Sequence, residues 1–269
     1  NFDMVVKMQE VLNDWAVDPK VGVILVQGAG DRAFCAGGDI RRLAESSRNE
    51  GIDYCRNFFS SEFRLNRTVF RYPKPYISIL DGITMGGGVG LSVHGQYRIA
   101  TERMLFAMPE TGIGYFPDVG GSYFLPRCPG SIGMYLGLSG ARLKVGDSLA
   151  AGVATHYLPS SGLDELIKEF EKIDPGADTS IKIKEILSDV AGTAESETLL
   201  GHRPLIDQCF SGDSLEEILD SLDACGEEWS TVTASTIRKK SPTSLKVTFR
   251  QLREGASMEF EACMVMELR

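Results

Sequence analysis

The stretch Ile83-Thr84-Met85-Gly86-Gly87-Gly88-Val89-Gly90-Leu91-Ser92 sets three consecutive glycines between an apolar strand, Tyr76 to Leu80, and a helical run, Val89 to His94. With every Cβ removed from one patch, backbone N–H groups can approach a ligand closely. Amides that open a helix have no intrahelical acceptor and suit developing negative charge. A second glycine turn, Phe34-Cys35-Ala36-Gly37-Gly38-Asp39-Ile40, follows the apolar run Val21 to Val26. Gly38 and Gly87 therefore read either as a two-donor oxyanion hole or as two tight turns needed for packing. Further on, Met108-Pro109-Glu110-Thr111-Gly112-Ile113-Gly114-Tyr115-Phe116-Pro117-Asp118-Val119-Gly120-Gly121 places two carboxylates in a proline-punctuated apolar loop. Carboxylates in such surroundings have raised pKa values and suit general acid or base work near neutrality. The alternative for Glu110 and Asp118 is a surface turn, or for Asp118 a cap. Glu62 lies on the apolar stripe Tyr54, Phe58, Leu65, Val69, either at its edge or aimed into a polar pocket.

Several familiar chemistries are excluded. No G-x-G-x-x-G follows a strand, and neither G-x-x-x-x-G-K-[ST] nor H-E-x-x-H occurs. Gly90-Leu91-Ser92-Val93-His94 approaches a nucleophile elbow but has His where the second glycine belongs. His156 and His202 have no motif around them.

The elements that must position these residues follow from periodicity. Residues 3–16 form an amphipathic helix ended by Asp18-Pro19. Val21 to Val26 is the kind of unbroken apolar strand that is buried on both faces with helices outside. Glycine turns follow two such strands, the first leading into a short helix through Leu43. Residues 52–70 are helical, and Gln96 to Ala100 is another strand. Residues 104–128 are a loop-rich region with Pro109, Pro117 and Pro126, expected to be ordered and functional. Helices are expected at 163–173, 181–190, 214–225 and 243–253. The third opens on a capping box, Ser214-x-x-Glu217, and the fourth has Pro242 at its first position. Asp174 to Thr179 is the linker candidate, so residues 1–173 form an α/β core with the site and 180–269 a C-terminal helical region.

At 269 residues the chain can bury a sizeable core, and 43% hydrophobic residues fit a globular protein. A net charge of −9 argues against nonspecific binding to nucleic acid or anionic lipid. The six cysteines, Cys35, Cys55, Cys128, Cys209, Cys225 and Cys263, show no Cys-x-x-Cys spacing. Neither a zinc site nor a disulfide framework is expected, and they read as reduced thiols in an intracellular compartment. No apolar run reaches the roughly 20 residues of a membrane helix. Asn1 opens without Met and Arg269 follows no stop signal, so both natural termini, and any targeting segment, are expected to lie outside this chain.

Ala33 to Ile40, Gly82 to Ser92 and Met108-Pro109-Glu110 together resemble the crotonase, or enoyl-CoA hydratase/isomerase, superfamily. Within it, Phe116-Pro117-Asp118-Val119-Gly120-Gly121 and Ser241-Pro242-Thr243-Ser244-Leu245-Lys246 are similar to the 3-hydroxyisobutyryl-CoA hydrolases, including their plant hydrolase-like members. The resemblance covers essentially the whole chain. It implies a ClpP/crotonase-type spiral of ββα units with a C-terminal α-helical region. It further implies a CoA thioester whose carbonyl oxygen sits between the N–H groups of Gly38 and Gly87. Glu110 would be the main catalytic carboxylate, attacking the thioester or activating a water. Asp118 and Glu62 would be further substrate-pocket carboxylates, donating a proton or binding the substrate's hydroxyl. The family's hydratases carry a second catalytic Glu where this chain has Gly90, which disfavours hydration of an enoyl-CoA. The implied activity is release of 3-hydroxyisobutyrate (or 3-hydroxypropionate) in valine catabolism, in the mitochondrion, with the peroxisome as the alternative. No cofactor or metal is implied beyond the CoA of the substrate, no membrane partner is expected, and there is room for a homo-oligomer. Tyr115 and Phe116 suggest a short acyl pocket. A different function class is a structural subunit of a larger mitochondrial assembly such as the plant mitochondrial ribosome, the one setting in which an RNA partner is expected. Gly38, Glu62, Gly87, Glu110 and Asp118 are all present, which a purely structural role would not require.

Overall fold

The computed structural model describes residues 1–196 and 198–269. By contacts the chain divides into two units, each assembled from discontinuous stretches. The first comprises residues 1–104 and 154–193 with Leu268, and the second 105–153 and 194–267 with Arg269.

The first unit is built on a parallel sheet. Strands β1 (Ile24–Gln27), β3 (Tyr76–Leu80), β5 (Tyr97–Ala100) and β7 (His156–Tyr157) lie side by side in that order, with Ile24 opposite Tyr76 and Ile77 opposite Tyr97. Parallel neighbours need crossover connections, and helices supply them. All five residues of β3 are buried, as expected of a run of apolar residues interrupted only by the small Ser78. The pleat sends Ile77 and Ile79 into a cluster with Ile99, Leu166, Phe170, Ile183 and Leu187, side chains of α8 (Leu163–Glu171) and α9 (Thr179–Val190) among them. Tyr76, on the other face, packs with Leu12, Ile24, Leu65, Val69 and Tyr72. Those residues come from β1, α1 (Phe2–Val17) and α3 (Asp53–Phe70), except for Tyr72, which lies just beyond α3. Two further bonds tie α1 down: the Tyr72 hydroxyl donates to the Leu12 carbonyl at 2.8 Å, and Gln9 Nε2 donates to Thr68 Oγ1 at 2.9 Å.

A second pair of strands, β2 (Ala33–Cys35) and β4 (Ile83–Met85), also runs parallel. Each feeds one glycine turn. After β2, Asp39 caps α2 (Ile40–Asn49) by accepting from the Arg42 N–H at 3.0 Å, so this helix runs well beyond Leu43. After β4, the helix expected from Val89 to His94 is instead the single turn α4 (Gly87–Gly90). Glycines make a poor helix interior. Ser92 adds a competing bond, its Oγ donating to the Gly88 carbonyl at 2.9 Å.

The second unit is helical apart from β6 (Leu105–Ala107), where Phe106 and Leu143 exchange both backbone bonds at 2.9 Å. Its helices are α5 (Gly121–Phe124), α6 (Ile132–Ser139), α7 (Val145–Ala150), α10 (Leu199–Cys209), α11 (Leu215–Cys225), α12 (Glu228–Arg238), α13 (Pro242–Gly255) and α14 (Phe260–Leu268). The Ser214 cap forms as expected, its Oγ accepting from the Glu217 N–H at 3.1 Å, but Glu217 returns its bond to Asp213 N rather than to Ser214 N. Buried Asp147 accepts from Leu199 N at 3.0 Å and from Thr198 Oγ1 at 2.8 Å, which fixes the start of α10. No helix among the described residues is long and apolar enough to cross a membrane.

Candidate active site

In the first unit the two glycine turns and Glu62 come together. A Cβ placed on Gly87 would stand 2.6 Å from Glu62 Oε1 and 3.5 Å from the backbone nitrogen of Gly38. Any larger residue there would require the Glu62 carboxylate to move. At Gly88 a Cβ would meet the Cys35 carbonyl oxygen at 2.2 Å, so the β2 and β4 turns approach each other backbone to backbone. Gly87 is the first residue of α4, so its N–H has no acceptor within the helix. The two turns that carry the candidate oxyanion donors are therefore neighbours.

A cavity of about 570 Å³ opens onto this spot, lined by Gly38, Gly87 and Glu62 and by apolar side chains that include Met4, Met8 and Phe58. That size suits a small-molecule ligand. Glu62 is 7% exposed, and burial pushes its carboxyl up to about 7. Of the two readings of Glu62, the structure gives the pocket. Its neighbours Phe58, Leu65 and Val69 on α3 are buried, so the helical stripe itself turns the carboxylate inward.

In the second unit, Glu110 opens a 3₁₀ turn (Glu110–Ile113), and its carbonyl accepts from Tyr115 N at 3.0 Å. The side chain is 6% exposed, and its Oε2 is buried without a hydrogen-bond partner. A buried polar atom in that state calls for an explanation, and a catalytic role is one. Burial, reinforced by the charge of Glu267, pushes the Glu110 carboxyl up to about 8. Asp118, 5% exposed, lies eight residues on in the same stretch. The surface-turn alternative for both carboxylates is thereby removed. Next to Asp118, fully buried Val119 has φ +51°, a conformation that a β-branched residue adopts only under strain.

Three features of this loop carry no sequence signal. Val119's backbone is one. The others are Gln251 and Glu267, ordinary-looking polar residues of α13 and α14. Gln251 Nε2 donates to the Pro117 carbonyl at 2.7 Å, and the Glu267 carboxylate accepts from Gly120 N at 2.8 Å and Ser122 N at 2.9 Å. The one available hint was a lone Glu inside the apolar run Cys263 to Leu268. Ser92, by contrast, is buried with its hydroxyl committed to backbone carbonyls, as a serine without a nucleophile's role would be. Among the described residues no group of three or more His, Cys, Asp or Glu is placed to hold a metal ion.

Known proteins share both this sequence and this fold. Residues 1–269 match the family described as enoyl-CoA hydratase/isomerase. A relative from Danio rerio named "3-hydroxyisobutyryl-CoA hydrolase, mitochondrial" is 44% identical, the match covering all of this chain and 71% of the relative. Among solved structures, a carnitinyl-CoA dehydratase from Mycobacterium thermoresistibile superposes with a TM-score of 0.91 at 37% identity, over 100% of this chain and 76% of that one. An enoyl-CoA hydratase from Rhodobacter sphaeroides gives 0.88 at 34% identity, over 99% of this chain and 75% of that one. The α/β crotonase-type fold implied by the glycine and carboxylate motifs is the fold these neighbours share. Sequence and structure thus meet in one conclusion: the chain belongs to the enoyl-CoA hydratase/isomerase family.

Proposed function

We propose that the chain hydrolyses a short 3-hydroxyacyl-CoA thioester, 3-hydroxyisobutyryl-CoA first and 3-hydroxypropionyl-CoA as the close variant, to the free hydroxy acid and CoA. The observation that carries this reading is the Glu110 carboxylate, buried, with its Oε2 missing a hydrogen-bond partner and its pKa raised to about 8, in a chain 44% identical along its full length to a protein named as such a hydrolase.

In this reading the thioester oxygen lies between the N–H groups of Gly38 and Gly87, which accept the charge that develops there when a nucleophile adds to the carbonyl carbon. Removing one such donor typically costs on the order of 10²–10³ in rate. Glu110 either bonds to that carbon directly, giving an acyl-enzyme that water then cleaves, or takes a proton from the attacking water. In both cases the carbon–sulfur bond breaks and CoA leaves as the thiol. Asp118 and Glu62 bind the substrate's hydroxyl or supply the proton, and no cofactor is needed beyond the CoA of the substrate. Two of the solved neighbours are named for a hydratase and a dehydratase. Hydration is disfavoured here because Gly90, buried at the end of α4, offers no carboxylate to position water. The relatives' names support a mitochondrial location.

The test is release of thiol from 3-hydroxyisobutyryl-CoA by the purified protein, with crotonyl-CoA as the comparison. The proposal expects thiol from the first and little hydrated product from the second. Substantial 3-hydroxybutyryl-CoA formation without thiol release would replace it with a hydratase.

A further inference from the structure

Resting on the hydrolase reading, we propose that Glu267 is a positioning residue for the site: from α14 it holds the backbone of residues 120–122, and with Gln251 it fixes the strained segment on which Asp118 is presented. The Glu267 side chain is 4% exposed and accepts from the N–H of Gly120 at 2.8 Å, the N–H of Ser122 at 2.9 Å and the Ser122 hydroxyl. On the other side of Asp118, Gln251 Nε2 donates to the Pro117 carbonyl at 2.7 Å. Six residues are therefore gripped at both ends by side chains from two different helices. Between the grips stand Asp118 and Val119, the latter with φ +51° and no exposed surface.

A backbone of that kind costs about 1–3 kcal/mol and persists only where its surroundings over-determine it. The two grips are that over-determination. Burying a carboxylate is itself unfavourable, and an apolar residue of the same size would serve plain packing better. A carboxylate does what an apolar side chain cannot: it accepts three hydrogen bonds and so sets the orientation of the peptide groups that precede Gly120 and Ser122. Capping of α5 alone would explain a bond to Ser122 N. It does not explain why Gln251 independently holds Pro117, on the far side of the strained residue.

The experiment is a double-mutant cycle on the full chain, reading kcat and KM for thiol release from 3-hydroxyisobutyryl-CoA together with thermal melting. Glu267→Gln keeps the side chain's size but can accept from only one side. It should lower kcat at least tenfold in folded protein while KM moves less than threefold. In an Asp118→Asn background the same change should lower kcat less than twofold, since the loop then has no carboxylate to place. Equal fold-losses in the two backgrounds, or an unchanged kcat in folded Glu267→Gln, would overturn the proposal. Should Glu267→Gln fail to fold, Gln251→Met releases the other grip and must show the same dependence on Asp118. Activity of the wild type is measured first, and its absence would count against the hydrolase reading alone. Amide hydrogen exchange then decides the positioning claim by itself, with exchange at Gly120 and Ser122 faster in Glu267→Gln and unchanged in α13 if the claim holds, and unaltered at both amides if it fails.

Discussion

Glu110 and Gly87 carry the most specific consequences at the scale of single residues. Glu110→Gln preserves volume and removes the base or nucleophile, so kcat should fall on the order of 10²–10⁴-fold while affinity for the CoA thioester survives. Stopped-flow turnover and calorimetric binding would separate the two effects, and near-normal turnover in folded protein would remove Glu110 from the chemistry. Gly87→Ala places a methyl group 2.6 Å from Glu62 Oε1. It should lose activity and melt earlier, and adding Glu62→Ala should restore part of the melting temperature because the clash is relieved. Equal melting of the single and double variants would contradict that geometry. Residue types and spacing singled out the two glycine turns and the carboxylates of the proline-punctuated loop, but left packing open as their reason, and their roles came only from the family resemblance. Val119, Gln251 and Glu267 were not legible, since a backbone torsion and a long-range bond from another helix leave no local pattern.

Among the elements, strands β1, β3 and β5 and helices α1, α2, α3, α8, α9, α11 and α13 follow from their own sequences, whereas the short strands β2, β4, β6 and β7 and helices α5, α6, α7, α10 and α12 do not. The β3 run was recognisable because all five of its residues are apolar or small and all are buried. Helix α10 was missed because Pro204 interrupts its periodicity; the helix forms around it, its start fixed by Asp147 from α7. Helix α4 stopped after one turn where a longer run was expected, because backbone entropy at the glycines outweighs the apolar pattern. The loop after Pro117 gives a prediction at this scale. Val119→Ala and Val119→Gly both remove buried apolar surface, yet only glycine adopts φ +51° without strain. Val119→Gly should therefore be the less destabilised of the two by about 1 kcal/mol in urea unfolding, the cost of a non-glycine residue in that region. The opposite order would mean that the strain is not borne by Val119.

At the scale of the whole molecule, the buried carboxylates Glu62, Glu267 and Glu110 have pKa values raised above the ordinary 4.5, Glu62 and Glu267 to about 7 and Glu110 to about 8, in each case chiefly through burial. A raised carboxyl favours the folded state while it is protonated. Its contribution is complete below about pH 4.5 and is lost as pH climbs through the folded-state value. Unfolding free energy should accordingly decline between about pH 5 and 8, each group giving at most ~1.4 kcal/mol per pH unit, and the decline should be shallower in Glu110→Gln. Denaturant titrations across that range would check it, and identical slopes in the two proteins would show that Glu110 titrates normally. The most direct measurement of the central claim is the reaction itself. Purified protein given 3-hydroxyisobutyryl-CoA should release free thiol with wild-type Glu110 and lose that release in Glu110→Gln, and crotonyl-CoA should remain largely unhydrated by either. Efficient hydration of crotonyl-CoA with no thiol release from the hydroxyacyl substrate would contradict the account.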